Sequence, residues 1–137
     1  MSLKSLLYVS RCRLDAENAR GKVDDIVHVA ASRNASLSVT GALVFTEVHF
    51  AQVLEGPPEA VDELMSSILR DSRHQDVQVL RSTHVPSRRF SQWSMAYAGP
   101  SRYVSGLIRP LTEQRSHEDL LIERLLTMME EFAEIAT

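Results

Sequence analysis

Cysteine occurs once, at Cys12, so the chain can form no intrachain disulfide and no cysteine-rich zinc ribbon, and a reducing cytosol is the expected compartment. No apolar run approaches the roughly 20 residues of a spanning helix. The start, Met-Ser-Leu-Lys-Ser, leads into no long signal region, so neither an anchor nor secretion is expected. Charge of one sign is scarce: 15 Lys plus Arg against 18 Asp plus Glu leave a net charge of −3, which gives no general pull toward nucleic acid. Gly and Pro number five each and are scattered, and 24% charged residues is ordinary globular composition, which excludes disorder and low-complexity arrays. Neither a G-x-G-x-x-G fingerprint nor a Walker loop is present, which disfavours a nucleotide cradled by its phosphates but leaves open one held by its ring. The histidines, at 28, 49, 74, 84 and 117, lack the close spacing of a zinc site. Ser10, His74 and Asp71 make a Ser-His-Asp set on paper, but no nucleophile elbow accompanies them and that reading is set aside.

What is present suffices for one domain with one core: 137 residues, 44% of them hydrophobic. Leu6, Leu7, Tyr8 and Val9 predict a buried first strand over residues 4–10. After the polar stretch Arg11 to Lys22, Val23, Ile26, Val27, Ala30 and Ala31 recur at helical spacing, predicting a helix that ends near Asn34. Val39 to Phe45 and Phe50 to Leu54 predict an antiparallel hairpin, joined by a glycine-free link, Thr46 to His49. Gly56, Pro57 and Pro58 end that strand, and Val61, Leu64, Met65, Ile68 and Leu69 carry a second helix to Arg70. Val77 to Leu80 reads as a fourth strand and Trp93 to Ala98 as a fifth. This order is the split βαβ arrangement of an α+β, ferredoxin-like fold, βαββαβ with an added strand and both helices on one sheet face. The apolar stripe Leu120, Leu121, Leu125, Met128, Met129 and Phe132, on a helix from about Ser116 (with Asp119 in a capping-box position) to Ala133, either covers the other face or forms a dimer contact.

Strand alternation places Gln52 on the face of Phe50 and Leu54, so a neutral amide points into apolar surroundings and needs partners. Tyr8, on the face of Leu6 and Ser10, reaches it if the two strands are neighbours. Asn34 at the end of the first helix reads most simply as a C-terminal cap. Arg88 and Arg89 beside Phe90 suggest an RNA surface only weakly, given the net charge and the lack of an RNP-type motif. Trp93 and Met95 alternate onto one face, where core packing is the simplest reading.

Tyr8, Asn34 and the strings "VTGALVF", "HFAQVLEGP", "RDSRHQDV" and "RRFSQWSM", in this order over about residues 4–98, together resemble a BLUF domain, the flavin-binding blue-light sensor. The resemblance implies noncovalent FAD, with FMN or riboflavin as possible substitutes, held between the two helices. It also implies a sensor unit over 1–100 followed by a helical extension over 101–137. By motif position Tyr8 is the redox-active tyrosine, Gln52 the switching glutamine and Asn34 the side chain on the flavin's pyrimidine edge. Arg73 and His74 match positions near the ring's carbonyl edge, and Arg33 a variable position that covers the ring. Trp93 and Met95 match the signalling pair of the last strand; which of the two neighbours the flavin stays open. Glu47 and Val48 depart from the Asp-Gly-like turn usual at the hairpin link.

A flavin ring has apolar faces and a donor-and-acceptor edge, so aliphatic walls (Ile26, Val27, Leu64, Ile68) with a few amides suit it. The resemblance implies that light makes the flavin an oxidant of Tyr8 and that recombination leaves Gln52 with new hydrogen bonds. Such a change, about 0.5–1.5 kcal/mol, can only bias a bistable element, for which the fifth strand and the C-terminal helix are candidates. A short stand-alone sensor of this kind is expected to be no enzyme itself and to signal by protein contact, as a homo-oligomer or to an unidentified downstream protein, without nucleic acid or membrane. Two other readings are kept. One is an acylphosphatase-like hydrolase with Arg11 or Arg13 as phosphate clamp and Asn34 orienting water; the other is a flavin-free ferredoxin-like regulator.

Overall fold

The computed structural model describes residues 2–12, 16–46, 48–71, 74–90, 96–98, 106, 108–111 and 119–135, with backbone alone at 16–24, 96–98 and 132–135. Arg13, Arg73, Trp93, Met95, Ser116 and the side chain of Phe132 lie outside the described residues. The elements are β1 (Leu3–Cys12), α1 (Ala16–Ser36), β2 (Thr40–Phe45), β3 (His49–Gly56), α2 (Pro58–Arg70), β4 (His74–Val85), β5 (Ala96–Ala98) and α3 (Asp119–Ile135). They build a five-stranded sheet in the order β4-β1-β3-β2-β5, antiparallel except where β5 joins β2 in parallel. The first four strands thus follow the ferredoxin-like plan, as the order of elements predicts.

Two elements run longer than their apolar pattern. Helix α1 begins at Ala16 rather than near Val23, because its first two turns, rich in Ala, Glu, Arg and Lys, have helix propensity without an apolar stripe. Strand β4 spans twelve residues rather than Val77 to Leu80. It is an edge strand, exposed at Gln75, Asp76, Ser82, Thr83 and His84, so polar residues mask its ends. The glycine-free hairpin link is closed by Thr46. Its N–H donates to the His49 carbonyl at 2.9 Å, and its hydroxyl accepts from the His49 N–H at 3.1 Å.

Alternation divides the core. Leu6, Tyr8 and Leu54 pack with Val61, Leu64 and Met65 of α2, while Leu43, Phe45 and Phe50 pack with Ile26 and Val27 of α1. The opposite face, with Leu7, Val9, Val44 and Val53, is covered by Phe90, Ile108, Leu111 and the α3 residues Ile122, Leu125 and Met129. Of the predicted C-terminal stripe, Leu121, Leu125, Met128 and Met129 pack on this sheet face, whereas Leu120 is exposed. Among the described residues no helix is long and apolar enough to cross a membrane.

Candidate functional site

Tyr8 and Gln52 face each other in the β1–β3 register, which puts both side chains on the face covered by α1 and α2. Both are buried, and the Tyr8 hydroxyl donates a hydrogen bond to Gln52 Oε1. Burial first, and the nearby negative charge of Asp71 second, push the Tyr8 phenol far above its usual range. The phenol therefore keeps its proton at any physiological pH.

These two side chains open onto a cavity of about 370 Å³ between α1, α2 and the sheet, within the usual size of a small-molecule site. Along α1, Ile26, Ala30 and Asn34 follow one another at i, i+4 and i+8, as do Asp25, Val29 and Arg33, and all six line it. Leu64, Ser67 and Ile68 contribute from α2, with Asp71 just past its end, and Leu43, Phe50 and Leu54 form the sheet wall. Of the predicted walls, Ile26, Leu64 and Ile68 line the cavity. Val27 does not, although it packs with Ile26 against the Leu43, Phe45 and Phe50 cluster.

Asn34 departs from the cap reading. Helix α1 runs on to Ser36, and the left-handed residue that ends it is Ser38, at φ 60°. Asn34 is thus two residues inside the helix, with its carbonyl accepting from Val39 N–H at 2.8 Å and its buried amide on the cavity. Arg33 stands at the rim, half-exposed, with its guanidinium 4.0 Å from the Glu63 carboxylate across the mouth. His74 enters from the start of β4. Its Nδ1 is 2.7 Å from Ser10 Oγ, and its ring stands edge-on to Tyr8 at 6.0 Å and tilted to Phe50 at 4.8 Å. The Ser10–His74 part of the discarded hydrolase set is thereby real, but Ser10 is fully buried in mid-strand, with no elbow to present it.

Sequence reasoning gave no cavity role to Phe50, Leu43, Asp25 or Asp71. Phe50 was signalled by its alternation with Gln52, and Asp71 by its place at the head of the string Asp-Ser-Arg-His. A larger cavity, about 650 Å³, lies elsewhere against Arg11, His49, Asp76 and Arg109; among the described residues it shares none with the predicted flavin site, and of the hydrolase reading it holds Arg11. Arg11 and Asn34 therefore line different cavities, which removes the Arg11 form of the hydrolase reading; Arg13 lies outside the described residues. Arg88 and Arg89 are likewise no free basic patch, since both guanidinium groups bond inside the molecule.

The donor set fits a flavin ring. Two carboxamides that both give and accept, a phenol and an imidazole sit beside the apolar walls of Ile26, Leu43, Phe50, Leu54, Leu64 and Ile68, with Asp25, Arg33, Ser67 and Asp71 also on the lining, and a flat heterocycle with apolar faces and a hydrogen-bonding edge needs such walls and such an edge.

A family described as sensors of blue-light using FAD matches residues 3–96. The chain is 39% identical over 93 residues to the blue light- and temperature-regulated antirepressor BluF of Escherichia coli, covering 68% of this chain and 23% of that protein. It is 33% identical over 98 residues to photoactivated adenylate cyclase subunit beta of Euglena longa, covering 71% of this chain and 11% of the subunit. It thus spans less than a quarter of the length of either relative. The solved dark-state structure of BlrB, a BLUF protein, superimposes with a TM-score of 0.79 at 31% identity, covering 95% of this chain and 96% of that one. The chain belongs to the BLUF family of blue-light flavin sensors.

Proposed function

We propose that this chain is a blue-light photoreceptor that binds a flavin, FAD in the first instance, in the cavity between α1 and α2, and that it acts as a sensor rather than an enzyme. The observation that carries the reading is the buried hydrogen bond from Tyr8 to Gln52 Oε1 on the cavity wall, in a chain of this family. When bound, the flavin supplies a one-electron oxidant that forms only on absorbing blue light. Tyr8 is the donor, and its phenol proton already lies on the path to Gln52 Oε1. Gln52 holds one face of its amide to the phenol and offers the other to the ligand edge, so a turn of the amide exchanges one bonding pattern for another. Asn34 fixes the ligand's edge, His74 and Arg33 border it, and Ile26, Leu64 and Ile68 exclude water from its faces. Arg73, Trp93 and Met95 keep the ligand-edge and signalling roles that the family motif assigns them.

Residues 1–100 form the sensor in this reading, and 101–137 carry the signal to a protein partner, either a second copy or a downstream protein. The antirepressor and the cyclase subunit each join such a sensor to an output of their own. The test is an absorption spectrum of the purified chain. A yellow protein whose flavin bands move reversibly to longer wavelength under blue light is expected, with the shift lost but flavin retained in Gln52→Leu and Tyr8→Phe. A colourless chain that takes up no flavin returns the flavin-free regulator, and either variant photocycling normally refutes the roles of Tyr8 and Gln52.

A further inference from the structure

Three residues beyond Gln52 on the same strand, the Glu55 side chain is buried on the α3 side of the sheet. Burying a carboxylate is unfavourable unless it is hydrogen-bonded, and this one is. Its Oε1 accepts the backbone N–H groups of Arg89 at 2.7 Å and Phe90 at 2.8 Å, in the segment that follows β4. The same loop is tied to the strands by Arg88, which donates to the Glu55 carbonyl at 2.9 Å, the Ser38 carbonyl at 2.7 Å and Thr40 Oγ1 at 3.0 Å.

Arg89 points the other way. Its guanidinium reaches Glu123 at 2.9 and 3.0 Å, Thr127 at 3.1 Å and Glu130, three positions spaced along one face of α3. Phe90, fully buried, packs into the core that α3 closes. One dipeptide is therefore gripped through its backbone by the strand of Gln52 and grips the C-terminal helix through its side chains.

We infer that Glu55 and Arg89 link β3 to α3, so that a displacement of the strand carrying Gln52 is passed through the Glu55 carboxylate to the Arg89 guanidinium and loosens or tightens α3. The inference rests on the sensor reading and names the route by which that sensor reaches its helix. The bistable element is α3, docked or released at its Arg89 contacts, and a change of one hydrogen bond at Gln52 is large enough to move such an equilibrium about fivefold. Ordinary stabilisation of α3 is separable from this role, because Arg81 of β4 also bonds Glu123, at 3.1 Å, without touching Glu55 or the loop's grip on β3.

Glu55→Ala takes the acceptor from one buried and one part-buried N–H group and is prone to unfold, so the test uses Arg89→Ala and Arg81→Ala in the flavin-loaded full chain. Hydrogen–deuterium exchange across residues 119–135 is compared in light and dark, with the flavin shift recorded on the same samples. All three proteins should show the flavin shift. The light-minus-dark difference in α3 should persist in wild type and Arg81→Ala and fall at least fivefold in Arg89→Ala. An unchanged α3 response in Arg89→Ala, an equal loss in Arg81→Ala, or loss of bound flavin or of the flavin shift in Arg89→Ala overturns the link. A wild-type chain without a flavin shift fails at the earlier step, the sensor reading itself, and takes the link with it.

Discussion

Leu125 sits at the centre of the contact between α3 and the sheet, with no exposed surface, in one cluster with Leu7, Val9 and Val53. Truncating it to alanine removes the buried branch and leaves a cavity, which in well-packed cores costs about 2–5 kcal/mol. A domain of this size has roughly 5–15 kcal/mol in all, so the loss is a large part of the total. With about 3–5 °C of Tm per kcal/mol for a chain of this length, melting should fall by roughly 6–25 °C. Leu120, five residues earlier and 61% exposed, is the matched control: Leu120→Ala should stay within about 0.5 kcal/mol of wild type. Urea unfolding followed by far-UV circular dichroism, at protein concentrations differing a hundredfold, measures both. If α3 covered its stripe with a second copy instead, the Leu125→Ala penalty would grow or shrink with concentration. A concentration-dependent penalty, or one below about 1 kcal/mol, would refute the assignment of α3 to its own sheet.

Replacing Asp71 by Asn should lower the Tyr8 phenol pKa without returning it to the ordinary range near 10, because burial is the larger cause; ultraviolet titration of the tyrosinate band reads it, and an ordinary value would show that charge rather than burial dominates. Gly41→Ala should be destabilised by about 1–3 kcal/mol, since a Cβ there would collide with the backbone carbonyl of Val53, and a neutral result by urea unfolding would contradict the close approach of β2 and β3. The hydrogen bond from Arg89, with a further one from Arg81, holds the Glu123 carboxyl below its usual range. A depressed carboxyl stabilises above its unfolded pKa and ceases to as pH falls through its folded one, so the gap between wild type and Glu123→Gln should exist at neutral pH and close below about pH 4. A gap that widens in acid would reverse the sign.

The strands that build the site were legible because each keeps its alternation. Phe50, Gln52 and Leu54 on one face, with Ala51, Val53 and Glu55 on the other, already decide which residues line the cavity and which lie on the α3 side. The Tyr8–Gln52 contact then needed only the adjacency of β1 and β3, which the ferredoxin-like order supplies. Less legible were elements whose partners lie far off in sequence. The polar ends of β4 are stabilised by β1 on one side and water on the other, which leaves no apolar signature. Asn34 looked like a cap because polarity at a helix end is ambiguous until the left-handed residue, Ser38, is located. Arg88 and Arg89 read as a weak basic surface because nothing local announces that Glu55, more than thirty residues earlier, and Glu123, more than thirty later, are their partners.

On the proposed reading, the Gln52 amide changes its bonding with Tyr8 and the ligand when light is absorbed. Light-minus-dark infrared difference spectra of chain grown with side-chain carbon-13 glutamine test it most directly. A label-sensitive carbonyl band should shift on illumination in wild type and be missing in Gln52→Leu. A flavin shift with no label-sensitive band, or the same band persisting in Gln52→Leu, would contradict it.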